Sequence, residues 1–127
     1  MKRIAVIGLV GLASIISFTA GVGLATEYIE HRFDDRLRSE NAYWTSTLDR
    51  EVSIGELKTD AQAWVQLQVP AGRANFDPVE RKFIGVVDNI HEPIGYPCSD
   101  WDLVVEITIG TDDRVTARRV TTSGACI

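Results

Sequence analysis

Between Ile4 and Thr26 the chain carries no charged residue, and Lys2 and Arg3 stand immediately before that run. A helix needs roughly 20 apolar residues to cross the hydrocarbon of a bilayer, and this run supplies 23. The apolar part of a signal peptide takes only about 7–15. The length therefore predicts a transmembrane helix over Ile4–Thr26. The alternative is a cleaved signal, because Gly23-Leu24-Ala25 offers small residues just before Thr26. Positive charge is retained on the cytoplasmic side, and Glu27, Glu30, Asp34 and Asp35 come after the run. The expectation is a single-pass protein of the bacterial inner membrane. Residues 1–3 would be cytoplasmic, and the C-terminal domain would be periplasmic or extracellular.

The remaining hundred or so residues are enough for one small domain. Beyond residue 26 there are 18 Asp and Glu against 11 Lys and Arg, near −7. That balance excludes a phosphate-rich partner such as nucleic acid and is compatible with a basic protein partner. The cysteines are Cys98 and Cys126. An exported compartment preserves disulfides, so the pair is expected to be bonded. Closing a loop of that length would contribute about 3–4 kcal/mol in the chain-entropy model. Neither cysteine has a second Cys or His at ligand spacing, so no metal and no cofactor is expected.

Residues 27–50 read as a connecting amphipathic helix. Ile29, Phe33, Leu37, Trp44 and Leu48 form one apolar stripe on a polar cylinder, and it is expected to pack on the domain. Gly55 breaks the pattern at the start of the exported domain, residues 51–127. Thr59-Asp60-Ala61-Gln62 fits a capping box opening a short second helix that ends at Pro70. Pro70 to Pro78 reads as a loop. Then the period changes. Residues 82–88 are rich in β-branched and aromatic side chains. Trp101, Leu103, Val105, Ile107 and Ile109 share one face of a second strand. Gly110 to Asp113 is a hairpin turn, and 114–122 the return strand. The predicted fold is α+β: transmembrane helix, amphipathic helix, short helix, then a three-stranded antiparallel sheet.

The residues offer little chemistry. His31 sits in a charged helix. His91 lies next to Glu92 on a Pro- and Gly-braced connection, 91–99, and no Ser/His/Asp trio or second histidine accompanies it. No enzyme activity is expected. The segment Ile90–Tyr96 presents Ile94, Tyr96 and His91 on that braced connection, and such loops carry recognition. Two readings stand: the segment covers the core, or these three residues are partner contacts.

The helix-helix-three-strand order, with Gly55 and Thr59 leading into an Ala/Trp helix, resembles small bacterial envelope domains of the BamE/SmpA type, and the closing pattern, Cys98 near Trp101 and a hairpin ending in Gly124-Ala125-Cys126, is similar to that of many bacterial envelope proteins of this size. The resemblance covers about residues 53–127. That family consists of lipoproteins of the outer-membrane protein assembly machinery, and this chain has no cysteine before Cys98 to carry a lipid. The resemblance implies a small α+β domain that binds rather than turns over a substrate. The expected function is a membrane-tethered, envelope-facing binding or accessory protein with a protein partner. The rival is a periplasmic immunity or inhibitor protein directed at a toxin or enzyme, for which an acidic domain would suit a basic target.

Overall fold

The computed structural model describes the backbone of residues 2–91 and 98–126, and the side chains of residues 25, 27–91 and 100–124. Two helices and four strands succeed one another: α1 Lys2–Glu51, α2 Lys58–Gln68, β1 Ala74–Asp77, β2 Lys82–His91, β3 Cys98–Ile109 and β4 Val115–Cys126. Residues 1–35 and 36–127 form two separate compact units, each described by itself. In the first unit the described side chains lie on α1, where the Arg32 guanidinium stands 5.7 Å from the Tyr28 ring centre.

In the second unit α1 contributes the buried Leu48 before it stops at Glu51, and Val52, also buried, follows it. Glu56 Oε2 accepts from the Ser53 N–H at 2.7 Å, and Gly55 adopts φ +89°, a left-handed conformation that glycine takes at no steric cost. The second helix starts two residues earlier than the capping-box reading, with Thr59 as its N-cap, places it. Its N-cap is Leu57, and no side chain caps it. Backbone partners hold this end instead: the Lys58 N–H donates to the Asp113 carbonyl at 2.9 Å, and the N–H groups of Asp60 and Ala61 donate to Leu57. Ala61, Trp64 and Val65 form the buried stripe of α2.

The sheet is antiparallel with strand order β1-β2-β3-β4. Its inner face supplies Phe83, Val87 and Ile90 from β2 and Leu103, Val105, Ile107 and Ile109 from β3. These pack with Leu48, Val52, Ala61, Trp64, Val65 and Val69 to make the core. Asp77 organises the β1–β2 turn, where its carboxylate accepts from the N–H groups of Val79 and Glu80. The Glu80 and Val79 amides, in that order, hold the Asp77 carboxyl below the usual range. Arg81, at φ 51°, closes the turn and donates to the Gly110 carbonyl and to Asp113 in the neighbouring hairpin.

Three expectations need correction. The sheet has four strands, not three. Ala74–Asp77 lies within the stretch read as a loop, and it pairs with Lys82–Gly85. Its four residues are too few, and too rich in Asn and Asp, for a strand pattern to register. The N-terminal transmembrane helix is not supported either. Among the described residues no helix is long and apolar enough to cross a membrane. From Glu27 onward α1 is charged on nearly every turn, and the side chains of the apolar run up to Leu24 lie outside the described residues. The Cys98–Cys126 disulfide is likewise absent among the described residues. The strand register does set positions 98 and 126 opposite each other, but the two side chains lie outside the described residues.

The joint between α1 and α2 carries a pH dependence. The Trp64 indole Nε1–H donates to Glu51 Oε2 at 2.9 Å. That bond first, and Arg50 second, lower the Glu51 carboxyl below its ordinary value of 4.5. A carboxyl lowered in the folded state contributes stability above its unfolded value and loses it as pH falls through the folded one. Trp64→Phe keeps the ring in the core and removes the donor. The acid-induced fall in Tm between about pH 5 and pH 3 is expected to be shallower in this variant than in the wild type. Thermal melts by circular dichroism across that range check it.

Candidate functional site

Strand alternation sends every second side chain to the face of the sheet away from the core. On that open face the register sets Val86 of β2 opposite Val104 of β3, and Val104 opposite Thr121 of β4. Ile84 lies one pair further along, opposite Glu106. Ile84, Val86, Val104 and Thr121 are half-buried, shielded only by their neighbours on the same face. They form a short apolar strip between two charged ends.

One end is an ion-pair network. Lys82 pairs with Glu80, and its Nζ lies 3.9 Å from Glu106. Arg119, directly opposite Glu106 in the register, donates Nε–H to the same carboxylate at 2.6 Å. The Lys82 ammonium is held above its usual range, first by the bond to Glu80 and then, against some desolvation, by the charge of Glu106. A shallow cleft of about 340 Å³ lies among these groups, with Thr108, Ala117 and Arg118 completing its walls.

The other end is acidic and polar. His91 Nδ1 lies 2.6 Å from Asp100 Oδ1, and Asn89 Nδ2 donates to Asp102 Oδ1 at 2.7 Å. Both are cross-strand pairs in register. His91 thus sits at the end of a strand, where its neighbours in the sequence suggest the opening of a loop. Its ring is exposed and braced by a carboxylate. Ile94 and Tyr96, the other two candidate contacts, lie outside the described residues, and so does the side chain of Cys98.

The acids and bases of the described part of this face are engaged with one another, and the cleft is open. Among the described residues no cluster of three or more His, Cys, Asp or Glu side chains could hold a metal ion. On the core side of the sheet a second groove, about 200 Å³, runs between α2 and β1. Phe76 and Phe83 floor it, Gln62 and Gln66 line it, and Lys58 lies 4.2 Å from the Phe76 ring centre.

Sequence reasoning misses the Lys82–Glu106–Arg119 network. The signal that could find it is the hairpin: a turn at Gly110–Asp113 folds β4 back on β3. The simple register is then displaced by an irregularity between Thr108 and Ile109, which leaves Thr116 out of the register and brings Arg119 opposite Glu106. Arg118 points the other way, opposite Ile107, and clamps the end of α1 through Asp49 Oδ1 at 2.8 Å.

No family model matches the chain, and no curated protein or solved structure matches it.

Proposed function

We propose that the chain is an accessory binding module that works on the envelope side of a bacterial membrane and holds a protein partner against the open face of its sheet. The observation that carries this reading is the layout of that face. An apolar strip, Ile84, Val86 and Val104, lies between a charged network and an acidic end that carries Asp100 and Asp102. An apolar centre with a polar rim is the anatomy of protein interfaces. The acidic end favours a partner with basic residues next to an aliphatic patch, since complementary charge steers association and fixes register. Delivery across a membrane is supported by Lys2 and Arg3 ahead of a charge-free run that ends in small residues near Ala25.

The test is co-purification from bacterial envelopes with the full chain, comparing the wild type with Val104→Glu. A carboxylate at the middle of the strip would be desolvated on contact but stays at the surface of the free protein. The wild type is expected to bring down one stoichiometric partner, and the variant, still folded by circular dichroism, to lose it. Equal recovery by both, or no stoichiometric partner, counts against the reading.

A further inference from the structure

We propose that the outer edge of β4 accepts an added strand from an acidic, extended segment of a partner protein. The proposal rests on the binding-module reading and adds to it a second contact, at the edge beside the open face, where the partner's charge is opposite to the one that the Asp100 and Asp102 end favours. β4 is the last strand of the sheet and spans 12 residues, against four for β1 at the opposite edge. Its first residue is already covered. Val115 N–H donates to the Glu56 carbonyl, and Val115 carbonyl accepts from Gly55, both at 2.8 Å. From Thr116 to Ser123 no backbone group bonds to anything but β3 among the described residues. A row of outward N–H and C=O groups is a template for another strand, and folds that do not use such an edge cover it, charge it or shorten it. Here the 55–57 segment covers only the start.

Charge selects the occupant. The chain has net charge −5, yet β4 contains Arg118 and Arg119 and no carboxylate. Arg119 remains largely exposed while it holds Glu106, and its cleft also carries Lys82, whereas the Arg118 guanidinium is turned to Asp49. A strand laid beside β4 would set every second side chain next to Arg119 and Thr121, over that cleft, where a carboxylate finds a guanidinium within reach. A second copy of this chain fits less well: antiparallel pairing of two β4 edges about the middle of 116–123 sets Arg119 opposite Val120 and Arg118 opposite Thr121, and β4 has no carboxylate to meet either guanidinium.

The probe is a capped eight-residue peptide of alternating Glu and Val, titrated into the full chain and followed by amide chemical shifts. Its matched control carries Lys for Glu. Two further peptides carry N-methyl groups on alternate residues in the two phases, which blocks main-chain donation on one edge of the peptide at a time. The expected result is saturable binding with shifts concentrated on residues 116–123. The Lys peptide and the Arg119→Glu variant are each expected to weaken it by at least about tenfold. One N-methyl phase should abolish binding and the other should leave it. The proposal is overturned by absence of saturable binding, by equal binding of the Lys peptide, by indifference to both N-methyl phases, by shifts that map elsewhere, or by dimerisation of the free chain through these amides. If the edge fails while Val104→Glu still releases a co-purifying partner, the binding-module reading stands and the edge does not.

Discussion

Replacing Leu103 by alanine is expected to remove about 2–5 kcal/mol of stability, the range for deleting a fully buried aliphatic side chain whose surroundings collapse only in part. Leu103 is 0% exposed. It lies in β3 at the centre of the ladder, opposite Asp88 on one side and Thr122 on the other. Its inner-face neighbours Val105 and Ile107 are equally enclosed, so no side chain can swing in to fill the space. At roughly 4–8 °C per kcal/mol for a domain of this size, Tm should drop by about 10 °C or more. Val104→Ala, one residue along and on the open face, should cost much less. Equal losses at the two positions would contradict the assignment of faces.

Gly85→Ala should destabilise by about 1–3 kcal/mol through overpacking. Gly85 is on the inner face of β2, and a Cβ built there meets Val69 Cγ2 at 2.7 Å and Cγ1 at 3.3 Å. Val69 is buried and caps α2. A β-branched side chain has few rotamers to retreat into, so either the helix end or the strand must move. The double variant Gly85→Ala/Val69→Ala should recover part of the loss, because the two side chains compete for one space. Additive penalties would mean that the contact is not the cause. Chemical denaturation of the two single variants and the double variant measures this directly.

The inner face of β3 is legible in the sequence, because Leu103, Val105, Ile107 and Ile109 alternate without interruption and the Gly110–Asp113 turn announces the fold-back. β1 is not legible. Ala74–Asp77 has no apolar alternation of its own and becomes a strand only by pairing with β2. The start of α2 misleads for a related reason. Thr59 offers a cap, but backbone carbonyls from Leu57 and Asp113 take the end of the helix, and a contact from residue 113 leaves no trace at residue 59. The candidate site divides in the same way. His91 can be singled out from its neighbours in the chain. Its partner Asp100, and the meeting of Lys82, Glu106 and Arg119, depend on register, and register shifts at Val86/Asp88 and Thr108/Ile109 decide that register. No short window of sequence carries those shifts.

The open face of the sheet is the surface proposed to hold a protein partner. Photo-crosslinking in intact cells tests it most directly, with a photoreactive amino acid placed singly at Val104 or at Leu67. Leu67 is 81% exposed, on α2, which lies on the core side of the sheet. One discrete crosslinked protein is expected from position 104 and none from position 67. Absence of a product at 104, or the same product from both positions, would contradict it.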